Sequence, residues 1–223
     1  MTYSPFRHLG SVLWKRSPLH LTFFVTRRCN ARCPFCFYLS SRNEAARQER
    51  ELTVDEISRL SASLGNLLWL AFSGGEIFLR PDLVEMTRIF YRQNRPAIIL
   101  LPTNGLKTDT IREYTEKILQ QCPKSTIVVK LSLDGPEPIH DRIRDVAGSY
   151  RKTMATYESL AELLAPYPNF ELGINSVFCA ANQDVMDDLI DRVAKLPHIK
   201  THTISLIRGA VADDTLKAVD LQK

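Results

Sequence analysis

The sequence predicts an α/β protein in which a parallel β-sheet carries helices on its outside. Six short, apolar, β-rich runs alternate strictly with amphipathic helical segments, and unusual short motifs follow the ends of several runs. Alternation alone leaves a doubly wound sheet and a TIM-like barrel open. In both folds ligands gather at the carboxyl ends of the strands, so we expect these motifs to form one site.

The boundaries of the elements follow from apolar spacing and turn residues. The predicted strands cover residues 20–26, 68–72, 97–101, 126–133, 170–178 and 202–207. Thr53 and Glu56 have the spacing of a capping box, which predicts a helix start at Thr53. Further helices are expected from Pro81 and over 109–121, 150–164, 183–196 and 213–221. A loop is predicted between strand four and the helix near Tyr150.

Length and composition fit a globular protein with a substantial core. The chain has 223 residues, 44% hydrophobic and 24% charged, with a formal net charge of +4. No dense basic run with interleaved aromatic residues occurs, so nucleic-acid binding is not expected. No apolar run approaches the ~20 residues that span a bilayer, and Met1–Gly10 lacks the apolar region of a signal peptide. We therefore expect a cytoplasmic protein without membrane partners, in which Arg42–Arg50 is solvated.

Three of the five cysteines, Cys29, Cys33 and Cys36, form the spacing C-x3-C-x2-C directly after the first predicted strand. A tight cysteine group in a cytoplasmic chain indicates metal binding rather than a disulfide framework. Thiolates are soft ligands that suit iron–sulfur clusters and zinc. Cys122 and Cys179 stand alone, which favours core or surface thiols over ligands.

Two kinds of metal centre fit these cysteines. A [4Fe-4S] cluster with three cysteine ligands keeps one iron open, and an open coordination position is typical of a catalytic centre. A Cys3His zinc site that uses His20 is the alternative, and a non-enzymatic metal-binding protein would then be expected. The cysteines alone leave both open.

Small and polar residues follow the second and third predicted strands. Gly74 and Gly75 allow the backbone to approach a ligand closely, and Glu76 adds a carboxylate that can pair with an ammonium group. Thr103 and Asn104, followed by a glycine, carry a turn signal. Each motif alone also fits a plain turn between a strand and a helix.

Polar residues also end the fourth strand. Ser132 and Asp134 are two positions apart, so strand alternation predicts that they share one face. Polar side chains inside a barrel need ligands or partners. Arg144, in the charged segment that follows, is the residue type best suited to bind a carboxylate. A hydrogen-bonded turn and a solvated arginine are the alternatives.

Taken in order, these motifs resemble the radical S-adenosylmethionine (SAM) superfamily. The cysteine motif follows strand one, Gly-Gly-Glu strand two, Thr-Asn-Gly strand three, and Ser-Leu-Asp-Gly with His-Asp-x-x-Arg strand four. The likeness covers about Leu19–Gly209. The stretch Ser132–Met154 is most similar to the branch with molybdenum-cofactor cyclases, haem-pathway enzymes and SPASM-type peptide maturases.

The resemblance implies an α/β fold of the partial (β/α)6 barrel type. A core domain would cover residues 19–209, preceded by an N-terminal extension over 1–18 and followed by a C-terminal helix or truncated tail over 210–223. Ile77 stands where the family usually has proline after Gly-Gly-Glu, and a turn tolerates either residue. Without a cysteine-rich extension after strand six, only one cluster is expected, in a minimal enzyme or in an inactive, truncated core.

The resemblance also implies cofactors and chemistry. Cys29, Cys33 and Cys36 would bind one [4Fe-4S] cluster, and SAM would chelate its fourth iron. Reductive cleavage of SAM would give a 5′-deoxyadenosyl radical that abstracts hydrogen from a peptide or small-molecule substrate. Flavodoxin or ferredoxin is the kind of electron donor to be expected.

Individual roles follow from the same resemblance. Phe35 would pack against the adenine, and Gly75 and Glu76 would contact the methionine amine. Ser132 and Arg144 would hold the methionine carboxylate or the ribose. The other expected cofactor-binding residues are Gly74, Thr103, Asn104 and Asp134, with Asn175 and Ile207 near the adenosine.

Overall fold

The computed structural model describes residues 9–13, 18–38 and 50–220. Within them, six strands form one parallel sheet in the order β1-β2-β3-β4-β5-β6. Because every strand lies beside its neighbour in sequence, the sheet winds in one direction, and the doubly wound alternative is wrong. The strands are β1 His20–Thr26, β2 Trp69–Gly74, β3 Ile98–Thr103, β4 Thr126–Ser132, β5 Phe170–Phe178 and β6 Ile199–Leu206.

Helices follow the strands, as the alternation predicts. They are α1 Leu9–Leu13, α2 Val54–Ser63, α3 Leu83–Asn94, α4 Thr108–Gln121, α5 Glu137–Arg144, α6 Ser149–Ala161 and α7 Met186–Ala194, with 3-10 turns over Ile77–Leu79, Gln183–Val185 and Asp214–Lys217. Thr53 caps α2, and its side chain and that of Glu56 form the expected capping box. In the described part of the chain, no helix is long and apolar enough to cross a membrane.

The loop predicted between strand four and α6 is wrong, because this segment contains α5. His140 and Arg144 lie one helical turn apart on its buried face, with 0% and 7% of their surfaces exposed. Pro138 stands in the first turn, where a helix needs no amide donor. The buried face of α5 could not be recognised from the spacing of apolar residues, since two of its buried residues are themselves ionisable.

Strand alternation divides the sheet into two faces. Residues such as Ile99, Leu101 and Val129 point toward the helices and belong to the main apolar core. The opposite, concave face carries Lys130 and Ser132 on β4 and their register partners Gly173 and Asn175 on β5. The concave face therefore holds polar groups that the core excludes.

Two expectations fall on residues at the edge of the described ranges. The solvated stretch Arg42–Arg50 lies outside them except for Arg50, whose guanidinium pairs with Glu56. The helix expected over 213–221 is a shorter 3-10 turn, Asp214–Lys217.

Candidate metal centre

The three cysteines of the motif lie in one loop immediately after β1. All three side chains are partly exposed. The Cys36 amide donates a hydrogen bond to the Cys33 carbonyl at 3.0 Å, which closes a turn between the second and third cysteine. One short loop therefore presents three sulfurs at the carboxyl end of the sheet.

Hydrogen-bond donors from three parts of the chain point at two of these sulfurs. The Ala31 amide and the Asn104 side-chain amide donate to Cys29 Sγ, at 3.5 and 3.8 Å. The Arg144 guanidinium donates to Cys33 Sγ at 3.8 Å. Donors and a positive charge favour the thiolate, the form in which cysteine binds a metal.

Burial opposes the thiolate. It raises the pKa of Cys29, and it raises the pKa of Cys33 to about 11 although the charge of Arg144 acts in the other direction. Burial therefore favours the neutral Cys33 thiol, and a bound metal would favour the thiolate.

Arg144 is held rigidly beside Cys33. Two of its nitrogens, Nε and Nη2, contact Asp134 Oδ2 at 2.7 and 2.5 Å, and its guanidinium carbon lies 5.3 Å from the centre of the Phe35 ring. Asp134 itself is 0% exposed, and its other oxygen accepts a hydrogen bond from the Val177 amide. The Asp134 carboxylate thus pairs with Arg144 and a backbone amide rather than facing solvent.

The two glycines at the end of β2 approach the backbone of the chain itself. A Cβ on Gly74 would stand 2.4 Å from the Thr26 carbonyl oxygen, and one on Gly75 would stand 2.1 Å from that of Arg28. Gly74 also has a φ of +123°, which side-chain-bearing residues rarely adopt. The glycines were predicted to let the backbone approach a ligand. In the structure they approach the backbone that leads into the cysteine loop.

Glu76 is buried, with 2% of its surface exposed, and is occupied by protein donors. The carboxylate accepts hydrogen bonds from the amides of Phe78 and Asn104 and from the Thr103 hydroxyl, at 2.7 to 3.2 Å. Burial raises its pKa to about 7 against the effect of these donors. Glu76 therefore ties the end of β2 to the end of β3 and leaves little room for the expected ammonium partner.

Asn104 joins the third strand to the cysteine loop. Its side-chain amide donates to Asn30 Oδ1 at 2.7 Å as well as to Cys29 Sγ, and its carbonyl accepts a hydrogen bond from the Thr153 hydroxyl at 3.0 Å. The turn is thereby fixed on one side by α6 and on the other by the cysteine loop.

The remaining predicted residues lie in two places. Ser132 and Asn175 are register partners on the concave face, at the end of β4 and in the second half of β5. Phe35 and Ile207, each 8% exposed, belong to one small apolar cluster with Cys179. The site therefore has a polar side on the sheet and an apolar side beside the loop.

The donor set fits an iron–sulfur cluster better than the zinc alternative. His20 begins β1 and the cysteine loop follows its end, so six strand residues, about 20 Å, separate His20 from the loop. The Cys3His zinc site through His20 is therefore wrong. Among the described residues, no group of three or more His, Cys, Asp or Glu side chains is arranged to hold one metal ion. A cluster holds its cysteines further apart than a single ion does, because each cysteine binds a different iron.

Sequence reasoning missed three residues that support this site. Asn30 and Thr153 hold Asn104 from opposite sides, and His140 accepts a hydrogen bond from the Asp134 amide at 3.1 Å. The spacing of His140 to Arg144, one helical turn, is a signal that could have indicated a shared buried face. Nothing in the sequence distinguishes Thr153 from other helical threonines.

Comparison with known proteins places the chain in a family. Residues 23–166 match the model of the Radical SAM superfamily. The PqqA peptide cyclase of Rhodopseudomonas palustris is 30% identical over 78% of this chain and 43% of its own length. The antilisterial bacteriocin subtilosin biosynthesis protein AlbA of Bacillus subtilis is 30% identical over 65% and 31%. The AdoMet-dependent heme synthase of Methanosarcina barkeri is 27% identical over 91% and 55%, so the chain spans about a third to a half of these relatives.

Solved structures share the fold. anSMEcpe with bound AdoMet superposes with a TM-score of 0.64 at 21% identity, over 88% of this chain and 53% of that one. Methylornithine synthase (PylB) gives 0.65 at 15%, over 96% and 60%. The barrel type expected from the motif order is thus confirmed.

Proposed function

The chain belongs to the radical SAM superfamily, and from this premise we propose that Cys29, Cys33 and Cys36 bind one [4Fe-4S] cluster whose fourth iron is left to SAM. The observation that carries the proposal is the surroundings of the sulfurs. Three cysteine side chains share one loop, and donors from the loop itself, the end of β3 and α5 point at two of their sulfurs. Such donors stabilise a negatively charged thiolate cluster and tune it.

The polar and apolar sides of the site suit different parts of SAM. We assign the adenine to the apolar wall of Phe35 and Ile207, since an aromatic ring stacks well on a flat heterocycle. Ser132 and Asn175 supply a hydroxyl and an amide on the concave face, suited to the ribose or the methionine carboxylate.

The other expected contacts become supports of the site. Asp134 orients Arg144, which lies close enough to Cys33 to balance the charge of its thiolate. Gly74, Gly75 and Glu76 fix the start of the loop relative to β2 and β3. We assign them a positional role, since the two glycines have no side chain and the Glu76 carboxylate accepts hydrogen bonds from three protein donors.

When both are bound, the cluster would supply the electron that cleaves SAM to a 5′-deoxyadenosyl radical, and this radical would abstract hydrogen from a substrate. The residues of this chain bind SAM, orient it and exclude water through the apolar wall of Phe35 and Ile207. Two of the relatives are named for a peptide cyclase and for bacteriocin biosynthesis, and one for heme synthesis. We therefore propose modification of a peptide or cofactor precursor in the cytoplasm, with flavodoxin or ferredoxin as electron donor.

Anaerobic reconstitution tests this function. The full chain should bind about four irons for one cluster and release 5′-deoxyadenosine from SAM and dithionite. Cys33→Ala should abolish that release, because it removes a cluster ligand. Cys122→Ala is the matched control: this cysteine is buried at the carboxyl end of α4, outside the motif loop, and its variant should keep the iron.

The outcomes separate the alternatives. A colourless protein with zinc and no iron would overturn the proposal in favour of a non-enzymatic metal protein. A brown protein that never cleaves SAM would identify an inactive core. Full turnover by Cys33→Ala would refute the assignment of the ligands.

A further inference from the structure

The concave face of the sheet carries a lysine that the proposed cofactor site does not use. Lys130 lies on β4 two residues before Ser132, and alternation places both side chains on the same face. Two strand residues advance about 7 Å, so Lys130 lies one step deeper than Ser132. It therefore belongs to the floor beneath the polar side of the proposed SAM site.

Lys130 reaches across β5 to β6. Its ammonium group donates a hydrogen bond to the Thr203 hydroxyl, although Thr203 pairs in register with Asn175 on the intervening strand. Gly173 makes this crossing feasible, since a Cβ there would stand 3.3 Å from Lys130 Cε and 2.8 Å from the Thr201 hydroxyl. A side chain at position 173 would clash with Thr201 and crowd the path of the lysine.

The charge of Lys130 has no counterion in the part of the chain that the structure describes. Among the described residues, no carboxylate lies within 4.0 Å of its ammonium group, and Thr203 is the one hydrogen-bond partner found there. An ammonium group has three donors, so two remain for a ligand. Burial also lowers the pKa of Lys130, as expected for a cation that lacks a counterion.

A second lysine of the same sheet shows the contrast. Lys200, on β6, contacts Glu171 at 2.6 Å and is thereby neutralised. Glu171 pairs in register with Val128, one step further from the site than Lys130. Lys130, nearer the proposed cofactor, has no carboxylate partner among the described residues, whereas Lys200, further away, is paired with Glu171.

We propose that Lys130, oriented by Thr203, binds a carboxylate of the substrate on the floor of the concave face. This inference rests on the proposed function, because it takes the concave face beneath the SAM site as the place where the substrate lies. The substrate is then an acid, either a small carboxylic acid or a peptide with an acidic side chain. The two sources share the same chemistry at Lys130.

Equilibrium dialysis with the reconstituted full chain tests the proposal. The probes are glutarate and the peptide acetyl-Gly-Glu-Gly-amide, each compared with its neutral counterpart, glutaramide or acetyl-Gly-Gln-Gly-amide. We expect at least one acid to bind about tenfold more tightly than its neutral counterpart, as one charge-assisted hydrogen bond provides. Lys130→Met should abolish this preference, whereas Lys200→Met should retain it.

A second variant tests the role of Lys130 without removing the lysine itself. Thr203→Val keeps the shape of the side chain but removes the hydroxyl that orients the ammonium group, so it should weaken binding of the acid several-fold. Iron content and melting temperature verify that each variant is folded. Binding of the peptide alone assigns a peptide substrate, and binding of glutarate shows that a small acid suffices.

Three results would overturn the proposal: neither acid binds, the neutral probes bind equally well, or folded Lys130→Met keeps the preference. Dialysis does not require SAM cleavage. A chain that binds the acid at Lys130 but releases no 5′-deoxyadenosine would therefore refute the proposed function alone. A chain that cleaves SAM without any preference for acids would refute the carboxylate site alone.

Discussion

Glu76 and His140 are buried titratable groups whose pKa values move in opposite directions. Burial raises the pKa of Glu76 from its ordinary 4.5 to about 7. Burial, followed by the charge of Arg144, lowers the pKa of His140 from 6.5 to about 4. Glu76 therefore favours the protonated, neutral form and His140 the deprotonated, neutral form. Both shifts follow from the cost of burying a charge.

The two shifts give opposite pH dependences of stability. Between pH 4.5 and 7 folded Glu76 binds more protons than unfolded Glu76, so its contribution falls as pH rises. Between pH 4 and 6.5 unfolded His140 binds more protons, so its contribution rises with pH. Glu76→Gln removes the falling contribution, so the free energy of unfolding of this variant should rise with pH. His140→Asn removes the rising contribution, so the free energy of unfolding of this variant should fall with pH. Each slope reaches at most about 1.4 kcal/mol per pH unit.

Urea unfolding of the cluster-free chain from pH 4.5 to 7 measures these slopes. The wild-type curve, in which both contributions oppose each other, is the internal control and should be flatter than either variant. Gln preserves the shape of the Glu76 side chain, and Asn keeps an acceptor near the position of His140 Nδ1, which the Asp134 amide uses. Parallel curves for the two variants would contradict the opposing shifts.

At the residue scale, the sequence predicted which side chains gather but not what each one contacts. The place of Cys29, Cys33 and Cys36 after a strand follows from local pattern. The inward turn of Asp134 could not be predicted, because it depends on Arg144 reaching back from a helix ten residues further on. Lys130 gave no signal, since its partner Thr203 lies 73 residues away.

At the element scale, backbone contacts with the turn after β2 fix the start of the loop after β1. The Gly75 amide donates to the Thr26 carbonyl at 2.7 Å, and the Glu76 amide donates to the Arg28 carbonyl at 2.9 Å. Both bonds require the two backbones to touch, which a side chain at position 75 forbids. The position of the cysteines therefore depends on a glycine in another element.

Gly75→Ala should displace the cysteine loop. The new methyl group would stand 2.1 Å from a carbonyl oxygen that belongs to the backbone, so no side-chain rotation relieves the clash. We expect iron content below half of the wild-type value, with a loss of about 1–3 kcal/mol in the free energy of unfolding, typical of overpacking. Iron assay after reconstitution and urea unfolding measure the two effects.

Gly10→Ala is the matched control, because nothing lies within 4 Å of a Cβ at that position. It should leave iron content unchanged and stability within about 0.5 kcal/mol of the wild-type value. Equal iron content in the two variants would show that the glycine contact does not position the loop.

Whether an element was predictable depended on how regular its apolar face is. β1 and β5 occupy the predicted spans, and α2 begins at its capping box, since these segments carry local signals. β6 begins three residues before the predicted start, at Ile199. α5 was missed because the residues it buries are His140, Ile143 and Arg144, two of which usually face solvent.

At the scale of the whole molecule, the chain that follows β6 returns to the cysteine loop. The amides of Ala212 and Asp213 both donate to the Pro34 carbonyl, at 3.0 and 3.3 Å. Val211 is 0% exposed and packs in the cluster that contains Phe35. The last described segment thus links the sixth strand to the loop after the first, across the open side of the sheet. Strand order was predictable only from the resemblance of the motifs, since alternation left two orders open. This return was not predictable, because Val211 stands between two alanines in a short segment without a strand or helix pattern.

The core boundary predicted at Gly209 therefore divides residues that contact one another. In a chain that ends at Gly209, we expect the cysteine loop to open more often. Removing the two hydrogen bonds and the buried valine costs at least about 1.4 kcal/mol, which corresponds to a tenfold larger population of opened loop. In the cluster-free protein, Cys33 should then be alkylated by iodoacetamide about tenfold faster, as followed by peptide mass spectrometry. Lys217→Ala, which breaks only an exposed pair with Asp214, should leave the rate unchanged. An unchanged rate in the shortened chain would mean that β1 and the turn after β2 suffice to hold the loop.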